Sequence, residues 1–185
     1  MIKETIADAD LHMKKSVEAF RQELLQIRTG KASSALVESI RVDYYGSEVP
    51  LTQVANISTP DPKTIAIQPW DKNVLSAIEK AIQKSELGLT PLNDGTFIRL
   101  PVPPLTEERR KELVKVVRRY LEEAKVVVRN IRRDANEHLK KAEKDGKISE
   151  DQSHTTQDKI QELTDKHIKE LDHLLEQKEK EIMEV

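Results

Sequence analysis

The stretch TEERRKELVKVVRRYLEEAKVVVRNIRRDANEHLKKAEKDG, residues 106–146, decides the fold. Leu113, Val117, Leu121, Ala124, Val128, Ile131, Ala135, Leu139 and Ala142 recur at steps of three or four. At about 100° per residue they form one apolar seam, close to the heptad rhythm of a packed bundle. Thr106 suits an N-cap, and Glu107 and Glu108 suit the positive end of the helix dipole. Lys144-Asp145-Gly146 closes the run. The spacing predicts a helix of about 40 residues, or about 60 Å long. Such a helix leaves its seam exposed unless other helices cover it.

Two further segments have the same period. Ile2, Ile6, Ala9, Met13, Phe20, Leu24 and Ile27 make one stripe, stopped by Thr29-Gly30. Thr156, Ile160, Leu163, His167, Leu171, Leu174 and Ile182 make another, opened by Ser149 and Gln152, the serine and glutamine of a capping box. The turn before Ser149 is short, so the second and third helices should run antiparallel. Three such stripes bury one another in an elongated bundle.

Residues 31–105 read differently. Ile40, Val42 and Tyr44 alternate with Arg41 and Asp43, a strand period followed by a turn at Tyr45-Gly46-Ser47-Glu48. Residues 64–68 and 96–100 are further strands. Between them Val74, Leu75, Ile78, Ala81 and Ile82 predict a short amphipathic helix, capped by Asp71 or Asn73 and stopped by Gly88. For Trp70, after Pro69, packing in the domain core or half-buried anchoring of a loop is expected ahead of a partner-facing position.

The expected class is therefore α+β: residues 1–29 and 106–185 form an antiparallel three-helix bundle, and residues 31–104 form an inserted small β/α/β domain. The chain crosses between them at 29–31 and at 101–105. Thr29, Gly30 and Lys31 on one side, with Pro103, Pro104 and Leu105 on the other, predict a hinge and a bent, L-shaped molecule.

Composition narrows the function. Among 185 residues 37% are hydrophobic, 35% charged and only 3% aromatic, so base stacking has few platforms. The net charge is −2, and attraction to nucleic acid must come from where charges sit, not from their sum. There is no cysteine, which excludes disulfides and thiolate metal sites. No apolar run approaches the roughly 20 residues of a bilayer span, and the N-terminus has no signal-peptide core. A cytoplasmic protein without membrane contact is expected.

The charges are not evenly placed. Arg129, Arg132 and Arg133 fall close together on the long helix with only Asp134 beside them. On a helical projection they share an arc of roughly 100° with Lys125, Asn136 and Lys140, away from the seam. Most charge runs are solvated faces knitted by salt bridges. Here Glu137 suits Arg133, while Arg129 and Arg132 have no acid at i±4. The planar guanidinium also matches phosphate oxygens in pairs, so the ridge suits a nucleic-acid backbone.

Four segments together carry a resemblance: Ile27-Arg28-Thr29-Gly30-Lys31-Ala32-Ser33, Val42-Asp43-Tyr44-Tyr45-Gly46, Pro103-Pro104-Leu105-Thr106-Glu107-Glu108-Arg109-Arg110 and Val128-Arg129-Asn130-Ile131-Arg132-Arg133-Asp134-Ala135-Asn136. The chain resembles the bacterial ribosome recycling factors over its whole length. Lys31 stands where that family commonly has arginine. The resemblance implies a bundle joined by a hinge to a β/α/β domain. It implies a non-catalytic translation factor that binds the post-termination ribosome and separates its subunits with elongation factor G and GTP. It further implies contacts to large-subunit ribosomal RNA through Arg129, Arg132 and Arg133, Arg132 foremost, with Arg28 as an additional contact; Lys125 and Asn136, which share the projected ridge, are expected beside them. A monomer without cofactor is expected.

Other chemistry finds little support. The five histidines form no spaced ligand pair, and His167 on its seam reads as packing. No GxxxxGK[ST] loop is present, and Ser33, Ser34 and Ser39 lack a recognisable base. From the residues alone, a coiled-coil adaptor and an enzyme with its site in the α/β domain stay open as alternatives.

Overall fold

The computed structural model describes residues 1–184. Two compact units divide the chain: Met1–Leu24 with the chain from Lys111 onward, and Leu25–Arg110. Both segments expected to act as hinges, 29–31 and 101–105, thus belong to the second unit. Among the described residues, no helix is long and apolar enough to cross a membrane.

The first unit is three long helices: α1 (Ile2–Leu25), α4 (Glu107–Lys144) and α5 (Glu150–Met183), the last two of 38 and 34 residues. The first turn of α4 is set by Thr106, whose Oγ1 accepts from Arg109 N at 3.1 Å. Ser149 and Gln152 form the full capping box of α5, with bonds of 3.1 and 2.9 Å in the two directions. Gly146 turns the chain between α4 and α5 at φ 73, the left-handed value that glycine tolerates. From α1, Ala9, Met13, Val17, Phe20 and Leu24 are buried; from α4, Leu113, Val117, Leu121, Val128, Leu139 and Ala142. Ala9, Leu139, Ala142, Ile148 and Ile160 pack in one cluster. Val17 fills the gap that the sequence stripe left between Met13 and Phe20.

The buried face of α5 is unusually polar. Ser153, Thr156, Thr164, His167 and Lys178 lie beside Ile160, Leu171 and Ile182. Thr156 and Thr164 return their hydroxyls to carbonyls four residues back, which satisfies them inside the core. His167 is 1% exposed, as a seam position implies, yet it is also hydrogen-bonded: its Nε2 lies 2.9 Å from Asp10 Oδ1.

The second unit contains more strands than expected. A short helix α2 (Ala35–Glu38) precedes a hairpin of β1 (Arg41–Tyr44) and β2 (Ser47–Pro50). Its two-residue loop is Tyr45-Gly46, both at positive φ, which matches the twist of the strands. β3 (Ala55–Asp61), β4 (Thr64–Pro69), β5 (Leu92–Asn93) and β6 (Ile98–Pro101) form an antiparallel sheet in the order β3-β4-β6-β5. α3 (Leu75–Lys84) supplies Leu75, Ile78 and Ile82 to a core with Val42, Ile65, Ile67, Ile98 and Leu100. Asp71 caps the turn before α3 through Asn73 N at 2.9 Å. β3 escapes a periodicity search because it is an edge strand: only Ala55 is buried, and Pro60 sits where no ladder donor is needed.

Trp70 corrects an expectation. It is 69% exposed, neither core nor anchor. Its backbone N–H bonds Val54 O at 3.1 Å, and this pins the strand end while the ring points outward.

Candidate nucleic-acid interface

Lys125, Arg129, Arg132, Arg133 and Asn136 all lie on α4, and the tertiary structure sorts them into two rows. The inner row faces α5. Lys125 Nζ meets Asp172 Oδ1 at 2.8 Å, and its side chain is only 16% exposed. Arg132 donates from one terminal nitrogen to Gln161 Oε1 at 3.3 Å. One heptad before Lys125, Arg118 Nε donates to Glu179 Oε1 at 2.7 Å. Asn136 continues this side, with its Oδ1 buried and without a hydrogen-bond partner. Arg118, Lys125 and Arg132 are seven residues apart, the spacing that keeps one edge of a supercoiled helix against its neighbour.

The outer row is Val126, Arg129, Asn130 and Arg133, related as i, i+3, i+4 and i+7, and therefore one face. Arg129 is half-buried, and Val126, Asn130 and Arg133 are exposed. Among the described residues, the side chains of Arg129 and Arg133 join no hydrogen bond or ion pair. The Glu137–Arg133 pair that helical spacing allows is not formed. Two uncompensated guanidinium groups one turn apart are what an anionic backbone requires.

Helical projection makes the ridge one surface and does not show that Lys125 and Arg132 have inter-helix partners, because these lie on α5, beyond the reach of i±4 spacing. The heptad spacing of Arg118, Lys125 and Arg132 was the available signal.

Arg28 follows α1 and lies, half-buried, in the second compact unit. It does not share the α4 rows. In the same unit Gly30 adopts φ 83, and a Cβ there would stand 3.3 Å from Leu105 N and 3.5 Å from Pro104 Cα. Thr29–Lys31 and Pro103–Leu105 therefore run side by side at close approach.

Other sites are weaker. Among the described residues, no group of three or more histidine, aspartate or glutamate side chains is placed to hold a metal ion. A groove of about 370 Å³ between α1 and α4 is lined by Asp8, His12, Asp134 and His138 over Ala9 and Ile131.

Comparison with known proteins agrees with this architecture. The family model described as "Ribosome recycling factor" matches residues 20–183. A ribosome-recycling factor of Symbiobacterium thermophilum is 59% identical over 185 residues, covering all of both chains. That of Chloroflexus aurantiacus is 57% identical with the same coverage. A solution structure of a ribosome recycling factor superposes with a TM-score of 0.81 at 48% identity, covering 100% of this chain and 98% of that one. A second structure describes the T. thermophilus ribosome recycling factor and the E. coli elongation factor G bound to the E. coli post-termination complex. It gives a TM-score of 0.68 at 48% identity, with full coverage of both chains.

Proposed function

The chain belongs to the ribosome recycling factor family, and on that premise we propose that it binds the post-termination ribosome through large-subunit ribosomal RNA and separates the subunits together with elongation factor G and GTP. The observation that carries the RNA reading is the outer row of α4, where Arg129 and Arg133 have no protein partner. Arg132 adds the guanidinium nitrogens not engaged by Gln161. Lys125 stands behind them, tied to Asp172 of α5, with Asn136 on the same side of the helix. Arg28 is a separate contact from the second unit.

The action is mechanical. The factor breaks no covalent bond, needs no cofactor and works as a cytoplasmic monomer; GTP hydrolysis belongs to the translocase. The bundle's length and its caps make it a stiff lever. The paired segments 29–31 and 101–105 act as the hinge about which the α/β domain moves when the translocase pushes.

Ribosome splitting followed by light scattering tests this reading. With post-termination complexes, elongation factor G and GTP, the wild-type chain should split subunits and each factor alone should not. Arg129→Ala and Arg132→Ala should reduce splitting at unchanged helicity. Wild-type splitting by both variants would remove the ridge from the mechanism. No splitting by the wild type would remove the function.

A further inference from the structure

Val126 and Val127 are 50% and 47% exposed in the middle of a helix whose exposed residues are otherwise polar or charged. β-branched residues are poorer helix formers than alanine, glutamate or lysine, and an exposed site gives them no packing in return. Val127 falls on the same helix face as Ile131 and Asp134, which line the groove beside α1. Val126 stands in the outer row itself, one turn before Arg129 and Asn130 and two turns before Arg133. A purely electrostatic ridge has no use for an apolar side chain there.

We propose that Val126 and Asn130 form a nucleoside-contacting element set between the phosphate-binding arginines. Val126 packs against the carbon face of a ribose, and the Asn130 amide bonds the 2′-hydroxyl, which both donates and accepts. The inference rests on the RNA-binding reading and adds what the row recognises: the sugar edge of RNA, not phosphate alone. Charge along the helix supports an occupant of this kind and its direction. Glu122 and Glu123 lie just before the row and Glu137 just after it. An RNA strand following the helix axis would meet these carboxylates. One that crosses the helix at Val126–Arg133 meets two free guanidinium groups, an amide and an apolar patch.

The test is equilibrium binding to purified large ribosomal subunits across a KCl series. Each phosphate contact adds roughly 0.7–0.9 to the slope of log affinity against log salt. Val126→Ala should bind about threefold to tenfold more weakly at every salt concentration, with the slope unchanged, because only apolar contact is lost. Asn130→Ala should behave alike. Arg133→Ala should bind more weakly with a shallower slope. Alanine is the better helix former at position 126, so a weakened Val126→Ala variant with undiminished helicity reports a lost contact and not a lost fold. Wild-type affinity of Val126→Ala and Asn130→Ala, with Arg133→Ala weakened, overturns the nucleoside contact and leaves the proposed function standing. Wild-type affinity of all three overturns the nucleoside contact and also removes the outer row from the RNA interface.

Discussion

Lys125 Nζ lies 2.8 Å from Asp172 Oδ1, across the contact between α4 and α5. That pair separates two kinds of basic residue along α4: Arg118 and Lys125 are engaged by acids of α5, while Arg129 and Arg133, one row outward, have no protein partner. Lys125→Ala should therefore cost stability and leave recognition nearly intact. Asp172 remains half-exposed after the change, so the loss should be about 1 kcal/mol in urea unfolding. The salt slope of subunit binding should match wild type. A slope reduced as far as that of Arg133→Ala would place Lys125 on a phosphate instead.

His167 joins α5 to α1 through Asp10. Its Nε2–H donates to an ionised carboxylate, and that bond is the largest cause holding the Asp10 carboxyl below the usual aspartate range; Lys14 assists. His167→Ala should destabilise the protein by about 2–4 kcal/mol, from the cavity and from the lost hydrogen bond. The pH dependence has a definite sign. A depressed carboxyl pKa contributes its full stabilisation above the ordinary aspartate value and loses it as pH falls through the lower folded value. Unfolding at a series of acidic pH values should show wild type and Asp10→Asn converging at the acid end. Parallel curves would mean that the Asp10–His167 bond carries no stability.

Lys178 is the charged counterpart within the same helix. Its side chain is 9% exposed, burial lowers its pKa, and Glu181 at 3.4 Å offsets this only in part. A buried ammonium with one modest partner opposes folding at neutral pH. Lys178→Met should raise stability by about 1 kcal/mol. The gap should narrow as pH rises from the depressed folded value toward the ordinary lysine value, because the native amine releases its proton before the unfolded one. A destabilised Lys178→Met would show that the ammonium makes a contribution beyond its pair.

Gly30 tests the crossing segments. Its φ of 83 strains any L side chain, and the 3.3 Å approach of Leu105 N makes a Cβ there a tight fit. Gly30→Ala should cost about 1–2 kcal/mol through left-handed strain and should displace residues 103–105. If these segments act as the hinge, subunit splitting will fall further than ribosome binding does. Equal losses would count against a moving α/β domain.

Much of this protein was legible before any tertiary structure. The seams from Leu113 to Ala142 and from Thr156 to Ile182 gave the long helices because a helix must bury one face, and that face repeats every three or four residues. Thr106, Ser149 and Gly146 gave their ends, because unpaired backbone groups at a helix terminus need capping and a left-handed stop needs glycine. Local chemistry was sufficient in each case.

What tertiary structure alone decided was partnership. Whether an arginine on α4 is free or occupied depends on which α5 residue lies opposite, and that residue is about thirty to sixty positions away in the chain. Arg132 and Lys125 looked like Arg129 and Arg133 until Gln161 and Asp172 were set against them. The Asp10–His167 bond, 157 residues apart in sequence, was invisible for the same reason. The exposure of Trp70, which sequence ranks behind burial, was also decided by packing, since a proline-flanked strand end does not say which side of the sheet remains uncovered. Periodicity fixes which face of an element is buried; only packing fixes what that face, and its edges, are buried against.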